Sequence, residues 1–227
     1  MNNQIYYHFL PSGYAIHDLE RKMIRVSTLD TLNDPFELMP YLRHRNNKEI
    51  EQYMNIRKQI SGIYGLLCFS KTWEEPLLWS HYADKHKGVA LGFEISNFNI
   101  FDVKYDQNPI RKQIELTNDL GTNKNLFLEL AQTKYKKWDY EEESRILIKL
   151  KNCTKIDGHY FIGFGDSLKV KEIKLGTFYD NSEEYILKLS KDFGAETIRC
   201  RLERQGYKIN KDGRKTGRLQ KMLEQIT

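Results

Sequence analysis

An acidic and a basic side chain stand two residues apart where the stretch WDYEEESRILI, at residues 138–148, turns apolar. If a strand begins at Glu142, its two-residue period puts Glu143 and Arg145 on one face, and Glu141 ends the acidic loop before it. A carboxylate and a guanidinium at the lip of a core strand form a candidate catalytic site. Its members are Glu143, Glu141 and Arg145. The alternative is that Arg145 holds Glu143 in a structural ion pair, and the sequence leaves both open.

The same carboxylates permit a metal-dependent hydrolase or nuclease that works from Glu141, Glu143 and His81. Such an enzyme needs metal ligands at matched spacing. His81 and His86 are five residues apart, whereas one helical face needs a spacing of three or four. The three cysteines show no Cys-x-x-Cys spacing and are interpreted as reduced thiols. We therefore expect no metal.

Further candidate ligand-binding side chains lie on two predicted elements. Ser70 ends the nearly continuous apolar strand 64–70, so its hydroxyl is predicted to lie where that strand meets solvent. On the helix predicted over residues 77–85, Trp79 and Tyr82 share a face. These aromatic rings either belong to the core or form a surface for a cofactor.

Two other stretches leave an alternative open. The turn at residues 32–37 contains Asn33 before Asp-Pro, a sequence that forces a turn. It is either a buried turn with satisfied polar groups or a loop that lines a pocket with Asn33. On the strand predicted over residues 88–95, one face carries only Ala90 and Gly92, which leaves room for a ligand or for a packed element.

The elements that position these residues follow no regular βαβ order. About eight strands and five helices favour an α+β fold with a bent, mixed or antiparallel sheet flanked by helices. With no repeat and no linker in the sequence, we predict one domain over residues 1–205. Residues 206–227 are predicted to be a basic C-terminal tail.

Charge is unevenly distributed along the 227 residues. From residue 201 onward there are eight Lys or Arg and three Asp or Glu, a formal charge of +5, while the first 200 residues balance. The tail is therefore a possible contact for nucleic acid, although terminal basic segments are often only solvated. No apolar run approaches the ~18 residues of a membrane span. The N-terminal residues lack the pattern of a signal peptide, so we expect a cytoplasmic protein and no membrane partner.

Several motifs in a fixed order resemble a bacterial family of domains of unknown function. The most specific are Asn-Asp-Pro-Phe-Glu at 33–37, Trp-Ser-His-Tyr-Ala at 79–83 and Trp-x-Tyr-Glu-x-Glu-x-Arg at 138–145. The resemblance runs from about residue 5 to residue 205 and implies no established reaction.

A second resemblance is to the ADP-ribosyltransferase fold. Those enzymes carry His or Arg beside Tyr on a first strand, then Ser or Tyr at the end of a central strand, then Glu-x-Glu at the head of a later strand. Tyr7-His8, Ser70 or Tyr82, and Glu141-x-Glu143 stand in that order here.

The ADP-ribosyltransferase resemblance implies NAD as a substrate. Glu143 would stabilise the oxocarbenium-like ribose that forms when nicotinamide leaves, and Glu141 would position the acceptor. His8 would hydrogen-bond the adenosine ribose, and Tyr82 or Trp79 would stack on nicotinamide. His81 and Asn33 complete the candidate nucleotide-binding set.

Two classes of function therefore remain open beside the hydrolase. The first is an ADP-ribosyltransferase-like enzyme that uses NAD on a nucleic acid or protein, as a toxin or phage-defence effector. The second is a non-catalytic module of the same family that senses a ligand, such as a small nucleotide, or binds a protein. The acceptor and the oligomeric state are unknown. The pairing of Glu143 is the feature that separates the two classes.

Overall fold

The computed structural model describes residues 4–38, 47–108 and 120–226. In these ranges the strands are β1 (Ile5–Leu10), β2 (Met23–Thr28), β3 (Tyr64–Ser70), β4 (Val89–Ile95), β5 (Ile100–Asp102), β6 (Lys104–Asp106), β7 (Thr133–Tyr135), β8 (Glu143–Lys149), β9 (Thr154–Ile156), β10 (His159–Gly163), β11 (Leu168–Leu175), β12 (Glu196–Leu202) and β13 (Ile209–Lys211). The α-helices are α1 (Ser12–Arg21), α2 (Asn47–Ser61), α3 (Pro76–Tyr82), α4 (Leu120–Ala131), α5 (Glu183–Lys191) and α6 (Gly213–Ile226). Short 3₁₀ helices span Leu29–Thr31, Lys136–Glu141 and Leu150–Asn152.

The strands pair in both directions and do not alternate regularly with helices, so the predicted α+β class with a mixed sheet is confirmed. The chain divides into two compact units. We call Met1–Ile24, Phe69–Phe98 and Gly163–Thr227 the first unit, and Arg25–Cys68 with Asn99–Ile162 the second unit. The predicted boundary at residue 205 stays a prediction. Residues 209–226, assigned to the tail by the sequence, form β13 and α6.

The first unit is built on strands in the order β13-β12-β11-β4-β1. β11 and β12 run parallel, and the other neighbouring pairs are antiparallel. One face of this sheet is covered by Leu78, Trp79 and Ala83 from α3, which pack with Phe9 and Ala90.

The bare face of β4 is filled by protein side chains. A Cβ atom added at Gly92 would lie 2.9 Å from a methyl of Ile5 and 3.1 Å from the ring of Tyr7. Ala90 lies in the same cluster as the α3 side chains. Ala90 therefore shows the predicted helix packing, whereas the space over Gly92 is narrowed by side chains of the neighbouring strands β1 and β11.

The second unit is built around β3, which pairs with β2 and β8, and β5 pairs with β8. Its core joins Tyr53, Ile56 and Ile60 of α2 to Phe127 and Leu130 of α4. The glycines at residues 158, 163 and 165 predict a loop over 158–165, but the structure places β10 there, paired with β9. The prediction was wrong because short paired strands with glycines at their ends carry little periodicity. None of the helices in the described ranges is long and apolar enough to span a membrane.

Candidate functional site

The three predicted catalytic residues lie in one group of buried charges in the second unit. We call Glu37, Lys134, Glu141, Glu143 and Arg145 the charge cluster. Each of these residues is at most 6% exposed. The cluster contains three carboxylates and two cations, so its formal charge is −1.

Arg145 uses its guanidinium fully inside the cluster. Its Nε donates to Oε1 of Glu143 at 2.7 Å, and its Nη2 donates to Oε2 of the same carboxylate at 2.8 Å. Nη2 also donates to Oε1 of Glu37 at 2.9 Å, and Nη1 donates to the carbonyl of Ala131 at 3.0 Å. This bidentate geometry fixes the Glu143 carboxylate in one orientation.

Lys134 supplies the second cation. Its Nζ lies 2.6 Å from Oε2 of Glu141, 3.0 Å from Oε1 of Glu37 and 3.2 Å from Oε2 of Glu143. An ammonium has three N–H donors, and here three carboxylates surround it. The ring of Trp138 lies 4.9 Å from the same nitrogen. The Lys134 ammonium is thus stabilised by carboxylates on one side and by the aromatic face of Trp138 on another.

The surroundings of Glu143 set its protonation. Burial alone would raise the pKa of Glu143, but the charges of Arg145 and Lys134, with hydrogen bonds from Arg145 and the Cys68 thiol, lower it to about 2. The backbone N–H of Glu143 donates to the Tyr105 hydroxyl at 2.8 Å. Glu143 is therefore an ionised, fixed carboxylate.

The Asn-Asp-Pro-Phe-Glu motif brings Glu37 to the cluster. Oδ1 of Asp34 accepts from the N–H of Phe36 at 2.9 Å, and the N–H of Glu37 donates to the Asp34 carbonyl at 3.0 Å. These bonds form a tight turn that buries Asp34 and Glu37 while Asn33 stays exposed. The turn is thus buried at Asp34 and Glu37 and exposed at Asn33 and Phe36, so the interpretation as a buried turn holds for the two carboxylates only.

Sequence reasoning named Glu143, Glu141 and Arg145 but missed two members of the cluster. The sequence predicts a long helix over 116–137 with Lys134 among its apolar positions, and a lone lysine there is itself a signal of a buried partner. In the described part of that range α4 ends at Ala131, and Lys134 lies in the short strand β7. Glu37 was quoted only as the end of its motif. Of the two alternatives for Glu143, the structure shows the ion pair with Arg145.

His8 and Ser70 point to opposite faces of the sheet in the first unit. Ser70 lies directly opposite Tyr7 in the β1–β3 pair, so those two side chains share a face. His8, one residue on, contacts the ring of Phe69, with ring centroids 5.9 Å apart. The buried Ser70 hydroxyl accepts from the N–H of Thr72 at 3.1 Å. The structure thus pairs Ser70 with the turn that follows it and not with His8.

The aromatic residues of α3 divide between core and surface. Trp79 is fully buried, packs edge-on against Phe9 at 5.2 Å and donates from its indole N–H to the Trp73 carbonyl at 2.7 Å. Tyr82 is half-buried, and the exposed His81 lies with its ring 6.1 Å from that of Tyr82. Trp79 belongs to the core, which was one of its two alternatives.

A metal-dependent hydrolase would need several ligands gathered around one ion. In the part of the chain that the structure describes, no group of three or more His, Cys, Asp or Glu is arranged to hold a metal ion.

The basic C-terminal segment folds onto the first unit. β12 and β13 form a hairpin. The loop between them is closed by a hydrogen bond in which the N–H of Glu203 donates to the Lys208 carbonyl at 2.9 Å. At its tip Tyr207 is 97% exposed. Arg204 and Lys208, also exposed, flank this ring in sequence.

Helix α6 carries further exposed cations. Thr216 and Leu219 are buried against the unit, while Arg214, Arg218 and Lys221, spaced four and three residues apart, are exposed together. All eight basic side chains from residue 201 onward are exposed, and we call them the basic face: Arg201, Arg204, Lys208, Lys211, Arg214, Lys215, Arg218 and Lys221.

Few of these cations have an acidic partner. Lys208 lies 3.4 Å from Glu74, and Lys211 lies 2.9 Å from Glu196. The other six form no salt bridge with any residue in the described ranges. The basic face is therefore a dense positive surface with little internal neutralisation.

Residues 78–146 match a family model described as a protein of unknown function (DUF2971). The predicted resemblance to a family of unknown function is thereby confirmed over this range, which contains two of its three most specific motifs. Comparison with curated proteins and with solved structures gave no match.

Proposed function

We propose that this chain is a non-catalytic module that binds nucleic acid through the basic face. The observation that carries the proposal is the exposure of all eight basic side chains on a folded hairpin and helix. The phosphate backbone is a polyanion, and Lys and Arg side chains that neutralise it release condensed counterions. Because the basic face is already ordered, binding gains the free energy of counterion release without the entropy cost of ordering a flexible tail.

The tip of the hairpin carries an exposed aromatic ring, which contacts with phosphate do not require. Tyr207 presents almost its whole ring to solvent, and the exposed Arg204 and Lys208 stand three residues before it and one residue after it in the sequence. Exposed aromatic rings beside cations are typical of surfaces on which bases stack. The pairing of ring and charge favours nucleic acid over a small anion.

An anionic membrane is a weaker partner for the same surface. A membrane-binding amphipathic helix inserts its apolar face into the lipid interface. In α6 the inward face is already used, because Leu219 is only 1% exposed and Thr216 only 2%.

An ADP-ribosyltransferase-like reaction with NAD remains the competing hypothesis from the order of residues. It requires the Glu143 carboxylate to face a bound ribose. Here both oxygens of that carboxylate accept hydrogen bonds from Arg145, and the residue is 6% exposed. This arrangement favours the non-catalytic alternative.

Binding is tested by fluorescence anisotropy with labelled single-stranded and duplex oligonucleotides across a range of salt concentrations. A triple variant, Arg214→Gln, Arg218→Gln and Lys221→Gln, is expected to bind more weakly. It should lower the slope of log affinity against log salt by about 2 for a single strand, because each lost phosphate contact contributes about 0.7.

A matched control removes the same charge from the second unit. Lys137, Lys149 and Lys151 are exposed, and their replacement by Gln should leave affinity and salt slope unchanged. Absence of binding to every oligonucleotide at low salt, or equal losses in the two triple variants, would contradict the proposal.

A further inference from the structure

A cavity of about 340 Å³ opens in the first unit where β3 ends and the chain turns toward α3. Small-molecule sites typically measure ≈ 300–1,000 Å³, so this cavity is at the small end of that class. We call it the Trp73 pocket, and its lining consists of Gln4, Ile5, Tyr7, Lys71, Thr72, Trp73 and Glu74.

The loop that forms one wall is fixed by hydrogen bonds. The N–H of Thr72 donates to the Ser70 hydroxyl at 3.1 Å, and the N–H of Glu74 donates to the Thr72 hydroxyl at 3.1 Å. The carbonyl of Trp73 accepts from the buried indole of Trp79 at 2.7 Å. The pocket is therefore already formed in the unbound chain, which lowers the entropy cost of binding.

A buried polar network holds the aromatic side chains of the pocket. Nζ of Lys174 lies 4.5 Å from the centre of the Trp73 ring and 2.9 Å from a carboxylate oxygen of Glu172. The Tyr7 hydroxyl donates to the same oxygen at 2.8 Å. Burial and the hydrogen bond to Glu172 raise the pKa of Tyr7, so its hydroxyl stays protonated. Trp73 and Tyr7 thus present rings that are supported from within the unit.

The pocket adjoins the basic face. The carbonyl of Glu74 accepts from the N–H of Ile209 at 2.8 Å, and its carboxylate lies 3.4 Å from Nζ of Lys208. Glu74 therefore lines the pocket and also contacts the hairpin that carries Tyr207. A strand bound at Lys208 would therefore lie close to the wall of the pocket that Glu74 forms.

We propose that the Trp73 pocket receives one unpaired base of a bound single strand, with the base stacked on Trp73. This inference rests on the proposed function and narrows it to single-stranded nucleic acid. Every base offers a flat π-face for stacking, and its edge carries donors and acceptors. Glu74 supplies acceptors, Lys71 supplies a donor and Gln4 supplies both, so the wall fits a polar planar ring better than an aliphatic chain.

The test compares a strand of about 12 nucleotides with an abasic sugar-phosphate strand of equal length and charge. The unmodified chain is expected to bind the base-bearing strand at least about 5-fold more tightly, the gain from stacking one base. Trp73→Ala should reduce this preference by about 5-fold, the part due to one stacked base, while leaving affinity for the abasic strand unchanged. Trp73→Phe, which keeps a ring, should retain part of it and serves if Trp73→Ala fails to fold.

Tyr14→Ala is the matched control, because Tyr14 is an exposed aromatic residue of the same unit, on α1. It should leave the preference intact. Equal affinity of the unmodified chain for the two strands, or an undiminished preference in both Trp73 variants, would overturn the pocket proposal while the proposed function stands.

A second measurement separates failure of the pocket from failure of the basic face. If neither strand binds, the proposed function fails, and the pocket is tested alone with free nucleoside monophosphates. The indole N–H resonance of Trp73, assigned by its loss in Trp73→Phe, should shift on titration with at least one of them. If none shifts it, the pocket proposal is overturned as well.

Discussion

The charge cluster and the basic face use the same side chains in opposite ways. In the cluster, Arg145 and Lys134 are buried, and their N–H groups are directed at carboxylates and a backbone carbonyl. On the basic face, Arg214, Arg218 and Lys221 are exposed and form no salt bridge with the described residues. One region pairs both of its cations with carboxylates of the same cluster, and the other presents cations that an external anion can pair with.

This difference indicates where stability and binding reside. A buried charge is costly to leave without its partner, so the cluster is sensitive to any change in its composition. An exposed charge is solvated whether or not a ligand is present, so its removal affects binding far more than folding. The two regions should respond to substitution in clearly separable ways.

The largest effect is expected from Arg145→Met, which leaves three buried carboxylates with Lys134 as their only cation. Breaking a buried ion pair in this way costs about 3–5 kcal/mol, because an uncompensated charge remains in the interior. Urea unfolding followed by circular dichroism measures the loss. Arg145→Lys should fall between Arg145→Met and the unmodified chain, since it keeps the charge and loses the bidentate fork.

Lys149 provides the control for this substitution on the same strand. Its side chain is exposed at the end of β8, so Lys149→Met should change the free energy of unfolding by no more than about 0.5 kcal/mol. If Arg145→Met had an effect as small as the control, the cluster would not have the structural role assigned to it.

Sequence reasoning could identify the cluster's centre because β-strand geometry is local. A two-residue period is enough to place Glu143 and Arg145 on one face, and the structure shows them bonded. The predicted class, α+β, follows from similar local patterns. The turn chemistry of Asp34 before proline also needs no tertiary information.

Other parts of the site depend on contacts between residues distant in sequence. Glu37 and Arg145 are 108 residues apart, and no local pattern links them. The side chains close to Gly92 come from β1 and β11. The sequence of β4 alone therefore does not indicate whether a ligand or protein side chains cover its bare face. In the basic tail, β13 likewise forms because β12, which precedes it in the chain, provides the strand with which it pairs.

A smaller effect is expected from Glu143→Gln. The cluster carries one more carboxylate than cation, so this change neutralises it, and the amide preserves the shape of the side chain. The loss of charged hydrogen bonds should lower the free energy of unfolding by about 1–3 kcal/mol at neutral pH.

The acid dependence of stability identifies Glu143 as the source of that loss. Its pKa is lowered in the folded state from 4.5 to about 2, so its contribution is fully present above 4.5 and is lost as the pH falls toward 2. Urea unfolding at several pH values should show a shallower decline in Glu143→Gln than in the unmodified chain. Parallel curves would show that another group causes the acid sensitivity.

Isotopically labelled NAD applied to the same pair of proteins tests the competing enzyme hypothesis. A structural role for Glu143 predicts neither label transfer to DNA, RNA or lysate proteins nor NAD hydrolysis by either protein. Activity in the unmodified chain that is lost in a folded Glu143→Gln would instead support catalysis and contradict this account.

The smallest effect on stability, with the opposite sign, is expected from Arg218→Gln in the basic face. Arg218 has like-charged neighbours on α6 at Arg214, four residues before it, at Lys215, three before it, and at Lys221, three after it. Like charges at this spacing destabilise a helix by about 0.2–0.5 kcal/mol per pair, and Gln has nearly the helix propensity of Arg. The three pairs together amount to about 0.6–1.5 kcal/mol before solvent screening, so the variant should be as stable as the unmodified chain or more stable by up to about 1 kcal/mol at low salt. Because salt screens exposed charges, this gain should vanish in concentrated salt, whereas the loss in Arg145→Met should persist. A clear destabilisation by Arg218→Gln would mean that this arginine stabilises the fold, and the contrast between the two regions would fail at that residue.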